Sequence, residues 1–148
     1  MLLDFNKRVR CPWTESEIKK IFKIIQKRIK LNGELEINIV GDKEIKDLNF
    51  RFRGLNKVTD VLSFAWQEDK IIKTASLGQI YICYPQIERQ ARQVKVDTAE
   101  EFTRMLTHGL LHIMGYDHVE KKDAKKMFKI QEEIIIDYAD YRRDLNGL

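Results

Sequence analysis

Histidine is almost absent from this chain, with three in 148 residues. Cysteine is rarer still. Cys11 and Cys83 stand far apart and outside any C-x-x-C pattern, which argues against a cysteine zinc module or a disulfide framework and leaves both as packing residues. With two prolines and seven glycines, there is no Pro/Gly-rich linker, and there is no internal repeat or low-complexity tract. No apolar run approaches the ~18 residues of a membrane span. The start, Met1 to Lys7, lacks the charged n-region, long apolar stretch and cleavage site of a signal peptide, so a cytoplasmic protein with no membrane partner is expected. Charge is plentiful, at 34% of residues, and nets +4. It is uneven: residues 1–60 hold 14 Lys and Arg against 9 Asp and Glu, while the later parts are close to balanced. A basic surplus of this kind favours a polyanionic partner such as nucleic acid, although many ordinary enzymes share it.

What is present is mostly well-marked secondary structure. Leu2 to Asn6 reads as a short strand. Thr14-Glu15-Ser16-Glu17 is a capping box with Trp13 placed to staple it from outside. Behind it Ile18, Ile21, Phe22, Ile25 and Ile29 form the buried stripe of a helix, expected to end at Asn32-Gly33. Glu34 to Val40 alternates, with Leu35, Ile37 and Ile39 facing in and Glu34, Glu36 and Asn38 facing out, as in a half-buried strand. Asp42 is placed to cap a short helix carrying Ile45 and Leu48. Two strands follow, Thr59–Trp66 and Leu77–Tyr84, separated by a turn around Gln67-Glu68-Asp69-Lys70, with Ile71-Ile72 as a further edge strand. Pro85 suits the first turn of a helix bearing Ile87, Ala91 and Val94. Asp97-Thr98-Ala99-Glu100 opens the next, with Phe102, Met105, Leu106, Leu110 and Ile113 buried. A last helix, 121–138, carries Ala124, Met127, Phe128, Ile134, Ile135 and Tyr138 as core, and a frayed tail begins at Arg142. The order predicts a single α+β domain over residues 1–148, a mixed sheet of about four strands packed with about five helices.

All three histidines fall in His108-Gly109-Leu110-Leu111-His112-Ile113-Met114-Gly115-Tyr116-Asp117-His118. Residues four apart share a helix face, so His108 and His112 can aim at one point. Gly115 can end the helix in the left-handed conformation and bring His118 back towards them. Three imidazoles converging in this way describe a zinc site with an open fourth position, one Zn2+ per chain. The spacing equals that of the metzincin proteases, but Gly109 replaces their glutamate base, which disfavours peptide hydrolysis. Asp117 is either an acceptor that orients a histidine or a turn residue. A phosphodiester substrate would need cations near the metal. Arg51-Phe52-Arg53-Gly54-Leu55-Asn56-Lys57 could supply them, with Arg51 and Lys57 as candidate phosphate contacts, or could be a solvated basic loop.

Asn49-Phe50-Arg51-Phe52-Arg53-Gly54, then Thr59-Asp60-Val61-Leu62-Ser63-Phe64, then Leu77-Gly78, then the histidine motif, together resemble the bacterial YbeY family, in the same order across nearly the whole chain. The resemblance implies a zinc-dependent, single-strand-specific endoribonuclease of ribosomal RNA maturation and ribosome quality control. It implies RNA, ribosomal RNA or its precursors, and the small ribosomal subunit or associated factors as partners. His108, His112 and His118 match the family's metal ligands, and Arg53 matches its functionally important arginine. Two positions depart from the family pattern: Gln79 stands where an aspartate is common, and Val58 where a proline is. Whether the nucleophile is metal-bound water or the RNA 2′-hydroxyl stays open. Two alternatives stand beside this expectation: a non-catalytic ribosome-assembly factor with a structural zinc, and a metzincin-like peptidase.

Overall fold

The computed structural model describes residues 2–65, 76–116 and 120–145. The chain order is β1 (Leu2–Lys7), α1 (Glu15–Gln26), β2 (Glu34–Val40), α2 (Asp42–Arg53), β3 (Val61–Ala65), β4 (Ser76–Cys83), α3 (Tyr84–Val94), α4 (Thr98–Ile113) and α5 (Lys121–Leu145). The sheet runs β1-β2-β4-β3. β1 and β4 both lie parallel to β2, and β3 closes one side antiparallel to β4. This is the mixed four-stranded sheet and five-helix α+β arrangement that the sequence predicts. Trp66, the turn at 67–70, Ile71-Ile72, Asp117 and His118 lie outside the described residues.

The main core forms where Leu35, Ile37 and Ile39 of β2 and Ile80 and Ile82 of β4 meet Ile18, Ile21 and Ile25 of α1 and Phe102, Leu106 and Leu110 of α4. Each such fully buried side chain contributes about 1.5–3 kcal/mol of apolar burial. The opposite face is not left to solvent as the alternation in β2 suggests. α2 covers it through a smaller cluster of Val40, Ile45, Leu62 and Cys83. Asn38, expected to face out, is only 1% exposed, between Asn6 of β1 and Tyr81 of β4. It is satisfied by Asn6, which donates to its Oδ1 at 3.3 Å, and by its own donation to Glu36 at 3.2 Å. Strands within a parallel set tend to be covered on both faces, and a period-two pattern does not report how many faces are covered.

The first capping box forms as expected: Glu17 N–H donates to Thr14 Oγ1 at 3.3 Å. Trp13, however, stacks on Phe102 of α4 at 4.3 Å. α1 ends at Gln26 rather than near Asn32, and Gln26 Nε2 closes the following turn on the Leu31 carbonyl at 3.0 Å. Gly41, not Asp42, is the N-cap residue of α2. The Asp42 carboxylate instead holds Arg89 of α3 through bonds of 2.6 and 3.1 Å. Val94 is exposed because it is the last residue of α3. α5 continues through Arg142 to Leu145 instead of fraying, with Arg142 paired to Asp97 at 2.8 Å and its guanidinium 5.6 Å from the Tyr138 ring.

Two glycines set how closely the layers approach around β3. A Cβ on Gly78, where φ is +156°, would lie 2.2 Å from the Phe64 carbonyl oxygen. A Cβ on Gly109 would lie 3.2 Å from Val61 Cγ2, with Ile80 behind it. Gly109 is thus the point where α4 presses onto the β3–β4 ribbon. No helix among the described residues is long and apolar enough to cross a membrane.

Candidate metal centre and cleft

The last two turns of α4 carry His108 and His112 one above the other. Their Nε2 atoms are 3.1 Å apart and their rings are steeply inclined, at 79°. Two nitrogens each ~2.0–2.1 Å from one tetrahedral ion are separated by about 3.3–3.4 Å, so the pair fits a shared metal. The other side of His108 is held: its Nδ1 lies 2.8 Å from Oε1 of Gln131 in α5. An amide oxygen can only accept, so Nδ1 carries a proton, and in the neutral ring Nε2 then presents a lone pair towards His112. Such an outer partner is what a metal-ligating histidine requires.

Gln131 is itself anchored. Its Nε2 donates to Glu132 at 3.1 Å, and Glu132 takes two bonds from Arg104 of α4, at 3.0 and 3.1 Å. Burial works against the charge on Arg104, but hydrogen bonds to Glu132 and Glu101 outweigh it and raise its pKa above the ordinary arginine value. Burial likewise disfavours the Glu132 carboxylate, and the Arg104 bond reverses this.

α4 ends immediately after His112 in a Schellman motif. Gly115 N–H bonds the His112 carbonyl and Tyr116 N–H the Leu111 carbonyl, both at 3.0 Å, with φ of +95° at Gly115. The expected left-handed end of the helix at Gly115 is therefore present. The third nominated ligand, His118, and Asp117 beside it follow this turn, outside the described residues. Among the described residues no three His, Cys, Asp or Glu side chains form a metal-holding group.

The histidine pair opens into a cleft of about 720 Å³. One wall is β3 with its lead-in, Thr59 to Ala65; α4 supplies Met105, His108, Gly109, His112 and Ile113; α5 supplies Phe128 and Gln131; and α2 supplies Arg53. Arg53 and the histidines, more than fifty residues apart in sequence, thus share one cavity. The basic stretch is not a loop up to that point. It is the end of α2, closed by Gly54 at φ +70°. Helix geometry separates the nominated cations. Arg51 pairs with Asp47 at 2.9 Å and does not line the cleft. Lys57 is not a lining residue either, and its carbonyl accepts from the buried Asn49 at 2.9 Å.

Asp60 and Gln131 are cleft residues that sequence reasoning did not nominate. Asp60 Oδ1 accepts from Val61 N–H at 2.7 Å, and its carbonyl accepts from Cys83 N–H at 2.9 Å, so it fixes where β3 starts. Its Asx-type bond is local and has no sequence period. Gln131 did carry a signal: it is a polar residue on the buried stripe Met127, Gln131, Ile134, Tyr138, and it is 3% exposed. Phe128, expected in the core, is 47% exposed and stacks on His108 at 6.2 Å.

The departures from the family pattern lie away from this centre. Gln79 is in register with Glu36 and Phe64 and does not line the cleft, and Val58 packs on the Val40–Cys83 cluster. A Cβ at position 109 would press on the Val61 side chain of β3 at 3.2 Å, so a metzincin glutamate there would have to displace it. A second depression, about 400 Å³ beside Trp13, Tyr84, Tyr138 and Tyr141, contains none of the nominated residues.

Comparison with known proteins shows the family of the chain. The family model for "Endoribonuclease YbeY" matches residues 5–139. A protein of Ureaplasma parvum serovar 3 named endoribonuclease YbeY is 37% identical, with 89% of this chain and 94% of that protein covered. One of the same name from Thermodesulfovibrio yellowstonii is 39% identical, with 82% and 76% covered. The solution structure of TM1509 from Thermotoga maritima superimposes with a TM-score of 0.69 at 29% identity, over 97% of this chain and 93% of that one. With a family model spanning most of its length and relatives well above 30% identity, the chain belongs to the YbeY endoribonuclease family.

Proposed function

We propose that this protein is a zinc-dependent endoribonuclease that cuts single-stranded RNA, acting on ribosomal RNA or its precursors in the maturation and quality control of ribosomes. Its partners are then the small ribosomal subunit or associated factors, and its place of work the cytoplasm. The observation that carries the reading is the meeting of Arg53 with the His108–His112 pair in one cleft. The endoribonuclease names of its relatives support it.

In this reading His108 and His112, with His118 as third ligand, hold the ion, and Gln131 keeps His108 in the tautomer that can ligate. When bound, zinc supplies Lewis-acid polarisation of a phosphate oxygen and lowers the pKa of coordinated water. The chain's own residues do the rest. Arg53 neutralises and positions the scissile phosphate, where a forked guanidinium matches two oxygens. The wall from Thr59 to Ala65 and the α4 surface shape the groove for the strand, and Asp60 holds the start of that wall.

A purely structural zinc is less well supported. α4 and α5 are already joined by the Arg104–Glu132 pair and by a shared apolar core, so their union does not depend on a metal staple. The test is cleavage of a single-stranded RNA by wild type, His112→Ala and Arg53→Ala, and by chelator-treated protein whose fold is followed by circular dichroism. Loss of about 10²–10³-fold in Arg53→Ala, loss in His112→Ala, and an intact fold without metal are expected. Equal cleavage by all three proteins would expose a contaminating nuclease, and unfolding on chelation would favour the structural zinc.

A further inference from the structure

We propose that Phe52 and Phe64 form a base-stacking platform at the mouth of the cleft, taking one unpaired nucleobase of a single-stranded RNA beside the phosphate held by Arg53. The inference rests on the endoribonuclease reading and adds the contact that would select single strands. Phe52 is 63% exposed although it lies on α2. Its ring is not loose. It leans on Phe64 at 5.1 Å and 59°, and Phe64 stands edge-on to Tyr81 at 6.0 Å and 78°. Phe64 and Tyr81 pack on the Val40–Cys83 cluster. A relay of aromatic contacts therefore fixes one side of the Phe52 ring to the core while much of the ring faces solvent.

The surroundings identify the occupant. Arg53, the next residue, and Phe64 both line the cleft, so the platform is continuous with the site. Arg53 is the cation beside it that lines the cleft, and among the described residues it is in no ion pair. A flat apolar surface beside a cation complements a chain of flat bases on an anionic backbone. A duplex cannot use it, because its base faces are already stacked; a single strand can.

The experiment uses a short single-stranded RNA that the wild type cleaves, and the same RNA with one abasic nucleotide moved through the positions flanking the cut. Phe52→Ala is expected to raise KM about 5- to 150-fold, the range for losing one base–aromatic stack. Phe52→Trp restores KM and Phe52→Leu, which keeps the apolar contact with Phe64, does not. At one position the abasic substitution costs the wild type the same factor and costs Phe52→Ala nothing more. A wild-type KM in Phe52→Ala, full rescue by leucine, or losses that multiply at every abasic position would overturn the platform. If the wild type cuts no RNA, the endoribonuclease reading fails, and the platform is still read by fluorescence. Phe52→Trp emission above the wild-type background is quenched by a single-stranded oligonucleotide and not by a duplex; quenching by neither overturns the platform.

Discussion

Replacing Gln131 by leucine separates what holds the helices from what prepares the metal site. Gln131 is 3% exposed, and its Oε1 accepts from His108 Nδ1 at 2.8 Å. Leucine fills similar space and removes the acceptor. Stranding a buried donor costs about 1–3 kcal/mol. His108 borders an open cleft where water can replace part of the bond, so the low end, ~1 kcal/mol, applies. The Arg104–Glu132 bonds at 3.0 and 3.1 Å stay in place. Tm should therefore fall by only about 2–4 °C.

The metal term is larger. Without Gln131 the ring can carry its proton on Nε2, or rotate, and loss of such an outer partner typically lowers metal affinity about 10–100-fold, or roughly 1.4–2.7 kcal/mol. Zinc competition with a chromophoric chelator reads the affinity, and thermal melts of the metal-free protein read the fold. Gln131→Glu keeps an acceptor and should bind at least as tightly as wild type. Wild-type zinc affinity in a folded Gln131→Leu protein would refute the view that this residue sets the ligating tautomer of His108.

Two further outcomes follow from the frame around the site. The Arg89 hydrogen bonds outweigh burial and hold the Asp42 carboxylate below its ordinary value of 3.8. A depressed pKa contributes stability above that value and loses it as pH falls through the folded pKa. Arg89→Gln should therefore be less stable than wild type in urea at neutral pH, with the gap closing below pH 3.8; a constant gap down to about pH 3 would contradict the linkage. Gly78→Ala places a Cβ against the backbone oxygen of Phe64 at 2.2 Å. Because a strand backbone must move, the expected cost is about 3 kcal/mol, or ~6–12 °C in Tm; a shift below about 2 °C would show that β3 yields freely.

Local chemistry was legible in the sequence because its causes are local. Capping oxygens at Thr14 and Asp97, the stripe of α4, and Gly115 at the end of that helix are set by neighbours within one turn, and each forms as expected. The histidine pair belongs to this class, since helical spacing alone brings His108 to His112. Other features depended on partners distant in the chain. Asn38 is buried because it lies in the middle of the sheet, in register with Asn6 of β1 and Tyr81 of β4. α1 stops early although Ile29 and Leu31 stay buried, because the turn after it also packs on the core.

The functional set divides in the same way. Sequence by itself determined two imidazoles on one helix face, a glycine where a catalytic glutamate would stand, and a basic segment upstream. Only the tertiary structure decided that Gly109 sits tight against Val61 of β3, that Gln131 orients His108, and that Arg53 alone of the three nominated cations lines the cleft. The physical reason is one of range. Backbone periodicity fixes which side chains share a face, while the crossing of α4 over the β3–β4 ribbon and the end point of α2 fix which faces meet.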